Sequence, residues 1–263
     1  MIPLPEDWGY RNWIENPLQV LSYGGGTQSS AMPLFIKDGL MPKPDLFLHS
    51  NTMAEMPSTE RLISEWARDF VENELKIPFV IVESHRGSIY DDYYKKGAIP
   101  IVGHRSCTSN FKILPQRRFI RSIVGKQNGK LLAECWLGIT TDEARRRAES
   151  DVKWCGLKYP LLDIISVSRQ DCIDRLEKEG LKVEKSGCYH CPYAGTTFYR
   201  ALRENHPILF QKALDLEARA EEVVLERTGK PLRMGLVQGK KLRMLDELEL
   251  PDSSCDSGAG CFI

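Results

Sequence analysis

The sequence predicts an α/β protein, a mostly parallel sheet with helices on both faces, followed by a helical C-terminal extension. Three observations carry this. Short apolar runs alternate with longer stretches of helical periodicity through residue 179. The first apolar run passes directly into a glycine-rich turn and then a helix. Beyond residue 205 the β-type runs stop, and Leu, Ala and Glu at helical spacing take over.

Strands are expected over residues 18–23, 45–50, 78–83 and 134–139, each short and apolar. Helices are expected over 29–37, 57–74, 115–124 and 168–179. In the second of these Leu62, Trp66 and Phe70 recur at helical spacing, and in the last Ser168 is the N-cap and Gly180 the stop. Helices over 194–203 and 207–227 follow. The apolar stripe of the latter, Leu209, Phe210, Ala213, Leu214, Leu216 and Ala220, is expected to pack against the α/β core. This organisation divides the chain into an α/β domain over 1–205, a helical extension over 206–250 and a small, polar tail over 251–263. Ligands of such a sheet sit at the carboxyl ends of its strands.

The chain has 263 residues and 42% hydrophobic content, enough for a substantial core. Thirty-six basic residues balance 36 acidic ones, so overall charge does not advertise a nucleic-acid binder. Basic character is local: Arg117, Arg118, Arg121, Lys126 and Lys130 in one segment, and Arg145, Arg146 and Arg147 in another. No run reaches the ~18 apolar residues of a membrane span, and the first residues lack a signal peptide's basic start and apolar centre. A cytoplasmic protein without membrane contact is expected. Eight cysteines in that setting point to metal or redox chemistry rather than a disulfide framework.

The glycine-rich turn comprises Ser22, Tyr23, Gly24, Gly25, Gly26, Thr27, Gln28, Ser29 and Ser30. Glycines permit positive φ and close approach of backbone N–H groups to a ligand. Ser29 and Ser30 add hydroxyls where the following helix dipole is positive, so a phosphate or similar anion is the expected ligand. The turn has neither the Gly-Lys-Ser/Thr ending of a Walker loop nor G-x-G-x-x-G spacing. It resembles the PP-loop of the adenine nucleotide α-hydrolase superfamily, which includes N-type ATP pyrophosphatases and phosphoadenosine phosphosulfate (PAPS) reductases. The resemblance implies a Rossmann-like PP-loop (HUP-type) fold that binds ATP or another adenine nucleotide, with Mg²⁺ as its companion ion. The pyrophosphatases place an aspartate where this chain has Gln28, whereas many PAPS reductases carry glutamine there. A glutamine cannot supply the charge a hard cation favours.

Two further strand ends resemble the same family. Asn51-Thr52-Met53-Ala54-Glu55-Met56-Pro57 is similar to the Asp-Thr-Gly-x-x-x-Pro stretch of PAPS reductases, which implies nucleotide contacts from Asn51 and Thr52. Gly138-Ile139-Thr140-Thr141-Asp142-Glu143-Ala144-Arg145-Arg146 is similar to Gly-Ile-Arg-x-x-Glu-Ser-x-x-Arg. There the resemblance implies a nucleotide contact at Gly138 and an anion-facing arginine. Arg145 and Arg146 are the candidates, and Thr140 replaces the first arginine of the signature.

Cys188-Tyr189-His190-Cys191-Pro192 is a C-x-x-C, and Cys107 lies upstream in Arg105-Ser106-Cys107-Thr108-Ser109-Asn110-Phe111-Lys112. One C-x-x-C is compatible with zinc, a redox pair or a cluster half-site. The upstream segment resembles the Cys-Thr-x-x-x-Lys element of PAPS-reductase-like proteins. The combination resembles the iron-sulfur adenylyl sulfate (APS) reductases, which pair a Cys-Cys site with a downstream C-x-x-C. The implied cofactor is a 4Fe-4S cluster on Cys107, Cys188 and Cys191, with Zn²⁺ as the alternative and His190 or another cysteine as its fourth ligand. Arg105 and Lys112 are the implied substrate-binding residues. Cys135 and Cys172 read as buried small hydrophobes. The tail carries Cys255 and Cys261 where PAPS and APS reductases keep a catalytic cysteine, although their Glu-Cys-Gly-x-His motif is absent.

Three functions are compatible with these motifs. One is sulfur transfer to a nucleic acid, with a cysteine desulfurase or thioredoxin-like protein supplying sulfur or electrons. Another is reduction of APS or PAPS to sulfite, and the third a non-catalytic nucleotide- or metal-binding sensor with structural zinc. A homo-oligomer is expected in each.

Overall fold

The computed structural model describes residues 3–243 and 245. The chain forms two compact units, each built from separated segments. The first comprises Met1–Ser50, Pro57–Val82 and Leu114–Ser186; the second comprises Asn51–Met56, Glu83–Ile113 and the chain from Gly187 onward. The expected boundary at residue 205 divides the chain once, whereas these units interleave. Among the described residues no helix is long and apolar enough to cross a membrane.

The first unit holds a five-stranded sheet of β1 (Leu18–Ser22), β2 (Leu46–Asn51), β3 (Phe79–Glu83), β4 (Ala133–Trp136) and β5 (Cys155–Lys158), in the order β3-β2-β1-β4-β5. β1 runs parallel to β2 and β4, and β4 parallel to β5. Four strands lie where the sequence predicts them. The fifth has only four residues, one of them Gly156, too short for a periodicity signal; pairing with β4, Ala133 opposite Cys155, makes it a strand.

The helices are α1 (Thr27–Lys37), α2 (Pro57–Arg61), α3 (Ile89–Lys96), α4 (Leu114–Val124), α5 (Arg169–Lys178), α6 (Thr196–Asn205) and α7 (Pro207–Thr228). α2 continues through the wider π-type turns Leu62–Ala67 and Phe70–Leu75. Both sheet faces are covered, and the strand period of two decides which residues face which layer. Leu21, Tyr23, Phe47, Phe79 and Trp136 pack with residues of α1 and α5, whereas Val20, Leu46, Leu48 and Cys135 pack with Ile120 and Val124 of α4. Ser168 caps α5 as expected, accepting the Asp171 N–H while the Asp171 carboxylate accepts the Ser168 N–H.

The second unit has a core of its own. Phe210, Ala213, Leu216 and Ala220 of α7 pack in it with Ile89 and Tyr93 of α3 and Tyr199 and Leu202 of α6. This corrects the expectation that the α7 stripe covers the α/β core: α3, hidden in the sequence by a polar stretch of Tyr, Asp and Lys, is the partner instead. Gly97 ends α3 in the left-handed region at φ +59, and a Cβ there would lie 2.4 Å from Val223 Cγ2 of α7. Glu217, buried on α7, accepts backbone N–H groups from Leu236 at 2.9 Å and Leu242 at 2.8 Å, docking the turn between them.

Candidate functional site

In the first unit, β1 ends at Ser22 and the chain turns through residues 23–26 into α1. Tyr23 anchors the turn. Its N–H donates to the Leu48 carbonyl at 2.9 Å, its carbonyl lies 2.9 Å from His49 Nδ1, and its buried hydroxyl meets Ser30 Oγ at 2.8 Å. Gly25 takes φ +69, and a Cβ on it would stand 2.7 Å from Thr59 Cγ2 at the start of α2. Only glycine meets both demands. Ser29 Oγ bonds both the N–H and the carbonyl of Gly26 at 3.1 Å. The two serine hydroxyls expected to face an anion therefore hold the turn itself. What the turn offers a phosphate is the α1 N-terminus and its dipole.

Past β4 the chain passes close to the same turn. A Cβ on Gly138 would lie 3.1 Å from Gln28 Cβ and 3.2 Å from the Ser29 nitrogen, so glycine lets this segment touch the first turn of α1. The Gln28 amide donates to Glu143 Oε2 at 2.9 Å, and Arg146 donates to Glu143 Oε1 at 2.7 Å. The Arg146 and Glu143 side chains are 10% and 11% exposed. Of the two candidate arginines, Arg146 joins the loop through Glu143 and Arg145 is exposed. Arg147 donates to Asp163 at 2.7 Å and lies over the Tyr159 ring. Thr140 is fully buried with its hydroxyl unpartnered.

The second unit holds the thiols. Cys107, Cys188 and Cys191 line one pocket together with Pro100, Lys112 and His190. Cys107 sits in the helical turn Ser106–Thr108. The C-x-x-C is a tight turn, with the Cys191 N–H donating to the Cys188 carbonyl at 3.1 Å. Residues 54–56 hold it in place: Tyr189 N–H donates to Ala54, Met56 N–H to Gly187, and Glu55 bridges Cys188 in antiparallel fashion.

Polar side chains surround these sulfurs. Thr52 Oγ1 donates to Glu55 Oε1 at 3.0 Å and lies 3.4 Å from Cys188 Sγ. Lys112 Nζ is 3.7 Å from the same carboxylate oxygen, and Glu55 Oε2 is buried without a hydrogen-bond partner. Asn51 donates to Glu83 and accepts the N–H of Met53, which takes φ +55 where the resembling motif has glycine. Asn51 and Thr52, expected at the nucleotide, thus belong to the unit that carries the thiols.

His190 is fully buried, and neither ring nitrogen has a hydrogen-bond partner. Its ring packs against Tyr189, centroids 4.8 Å apart at 73°, and burial pushes its pKa down to about 3, so the imidazole is neutral. From the sequence this histidine is either an alternative zinc ligand or a hydrogen-bond partner of a cluster sulfur or substrate; its isolation inside the protein is visible only in three dimensions. Arg105 is exposed and is not part of the pocket wall. Cys255 and Cys261 lie outside the described residues. Cys135 and Cys155 are buried neighbours across β4 and β5, their sulfurs 3.3 Å apart, and burial pushes the Cys172 thiol up to about 12.

The three thiols are soft donors, of the type that iron-sulfur or zinc takes and Mg²⁺ does not, and the neutral His190 imidazole lines the same pocket. Among the described residues no group of three or more His, Cys, Asp and Glu side chains is placed so that it could hold a metal ion.

No protein-family model matches the sequence, and no curated protein is significantly similar to it. Solved structures align with this chain, among them the following two. A PAPS reductase from Candida auris, in a phosphate complex, aligns at TM-score 0.47 and 11% identity over 72% of this chain and 98% of that one. The U34-tRNA thiolase NcsA from Methanococcus maripaludis, with its 4Fe-4S cluster, aligns at TM-score 0.42 and 18% identity over 93% of this chain and 82% of that one.

Proposed function

We propose that this chain is a PP-loop, PAPS reductase-like enzyme of nucleotide-linked sulfur chemistry. In this reading the Ser22–Ser30 loop binds the phosphates of an adenine nucleotide, and Cys107, Cys188 and Cys191 hold a 4Fe-4S cluster. The observation that carries it is the convergence of Cys107 with a distant C-x-x-C on one pocket wall that also presents Lys112. Packing alone gives no reason for three thiols and an ammonium group to share a cavity.

When bound, a cluster on three thiolates supplies an iron open to a sulfur ligand. The chain's own residues do the rest. The Lys112 charge offsets the thiolates and is itself held by Glu55. The Thr52 hydroxyl, which donates to Glu55, lies 3.4 Å from Cys188 Sγ and ties that carboxylate to the thiol pocket. At the loop, the N-terminus of α1 meets phosphate, while Glu143 orients Arg146 toward an anionic group. Cys255 and Cys261 are the proposed sulfur carriers, acting as thiolates.

Sulfur transfer to a nucleic acid is the preferred reaction, drawing on a cysteine desulfurase or a thioredoxin-like partner. Reduction of an adenylylated sulfate is the second reading, favoured by Gln28 in place of the pyrophosphatase aspartate. Anaerobic purification tests the cofactor: a brown protein with about four irons per chain is expected, with iron lost in Cys107→Ser. A colourless protein holding one zinc overturns the cluster. Pyrophosphate release from ATP in the presence of RNA, as against sulfite release from PAPS, separates the two reactions.

A further inference from the structure

We infer that His190 is a positioning residue for the sulfur-bearing centre of the thiol pocket, its ring N–H donating a hydrogen bond to a thiolate or sulfide sulfur of that centre. The inference rests on the proposed cluster at Cys107, Cys188 and Cys191, and it concerns a side chain that is not one of its ligands.

A neutral imidazole carries one N–H donor and one lone-pair acceptor. In His190 both are buried and both lack a partner, although buried polar groups are nearly always paired. The ring is not loosely placed, because it packs edge-on against Tyr189 at 4.8 Å and Tyr90 at 6.1 Å, which also touch each other. A phenylalanine would fill the same aromatic niche with no orphaned atom. The two nitrogens are thus unfavourable in the protein by itself, and His190 lines the cavity that the three cysteines share. A group entering that cavity supplies the missing partner, and the sulfurs of a thiolate-held centre are acceptors for an N–H.

Hydrogen bonds to cluster sulfurs stabilise the more negatively charged reduced state and raise the reduction potential. This separates a positioning role from a structural one. The experiment compares iron-loaded wild-type protein with His190→Phe and His190→Gln, reading iron content and midpoint potential, and the melting temperature of the iron-free forms. Iron content is expected to stay at the wild-type level in both variants. The potential is expected to fall in His190→Phe and to recover most of the loss in His190→Gln, whose amide N–H replaces the donor. Iron-free His190→Phe is expected to melt above wild type, since it loses two orphaned atoms.

An unchanged potential in His190→Phe overturns the inference and leaves the cluster standing; wild-type protein that takes up no iron overturns both. Should the Phe variant fail to accumulate, electron spin-echo spectra of reduced wild-type protein carrying ¹⁵N-histidine decide. A weakly coupled nitrogen that disappears in His190→Gln supports the role, and its absence from wild type refutes it.

Discussion

The Gln28 side-chain amide donates a 2.9 Å hydrogen bond to Glu143. A carboxylate therefore stands beside the first turn of α1 although position 28 itself carries none. Glu143 is in turn bound by Arg146, so the loop touches a neutralised ion pair rather than a bare anion. That is a suitable neighbour for a phosphate, which an unpaired carboxylate would repel.

Gln28→Glu puts two carboxylates in contact, and nucleotide affinity is expected to fall about tenfold or more, roughly 1.4 kcal/mol. Combining it with Glu143→Gln restores the pair with donor and acceptor exchanged and is expected to recover part of the loss. Isothermal titration with ATP on the four proteins reads both effects.

Gly25→Ala imposes a left-handed φ on a residue with a Cβ and drives that Cβ into Thr59 Cγ2. A stability loss of about 1–3 kcal/mol is expected in urea unfolding. Adding Thr59→Ser removes the clashing methyl, so it should return the steric share and leave the conformational share.

Gly97→Ala meets the same two penalties in the second unit, against Val223. A loss of at least ~1 kcal/mol is expected, with faster hydrogen exchange in α3 and α7 than in the first unit. Val223→Ala in that background removes both clashing methyl groups but keeps the Val223 Cβ, 2.6 Å from the new one, so at most part of the loss is expected to return.

Burial raises the Glu217 pKa above its ordinary 4.5, against the opposing effect of the N–H groups it accepts. The sign follows from proton binding: the folded protein holds the proton more tightly, so this stability is present below pH 4.5 and is lost as pH rises through the higher folded value. The unfolding free energy of wild type relative to Glu217→Gln is expected to decline over that window. A flat difference between the two proteins would contradict the raised value.

Much of the first unit was legible in the sequence because its signals are local. Strand alternation, the Gly25 turn and the Ser168 cap depend on neighbours a few residues away. β5 and α3 were missed for the opposite reason. Cys155–Lys158 becomes a strand only by pairing with β4, and Ile89–Lys96 hides its two buried residues, Ile89 and Tyr93, among polar ones. At the candidate sites, the loop and the cysteine set could be named in advance, but not the destinations of Ser29, Ser30 and Thr52. Those depend on hydrogen-bond partners that compete for each hydroxyl.

Residue order was enough to specify the chemistry on offer: a glycine-rich turn after the first strand, a C-x-x-C with a distant upstream cysteine, and a glutamine at position 28. The tertiary structure decided which of these groups meet. It chose Arg146 over Arg145, brought Cys107 to the C-x-x-C, and sealed His190 away from water with both nitrogens unpaired. The physical reason is that donor type is a property of one residue, whereas pairing and desolvation belong to the set of residues that folding places around it.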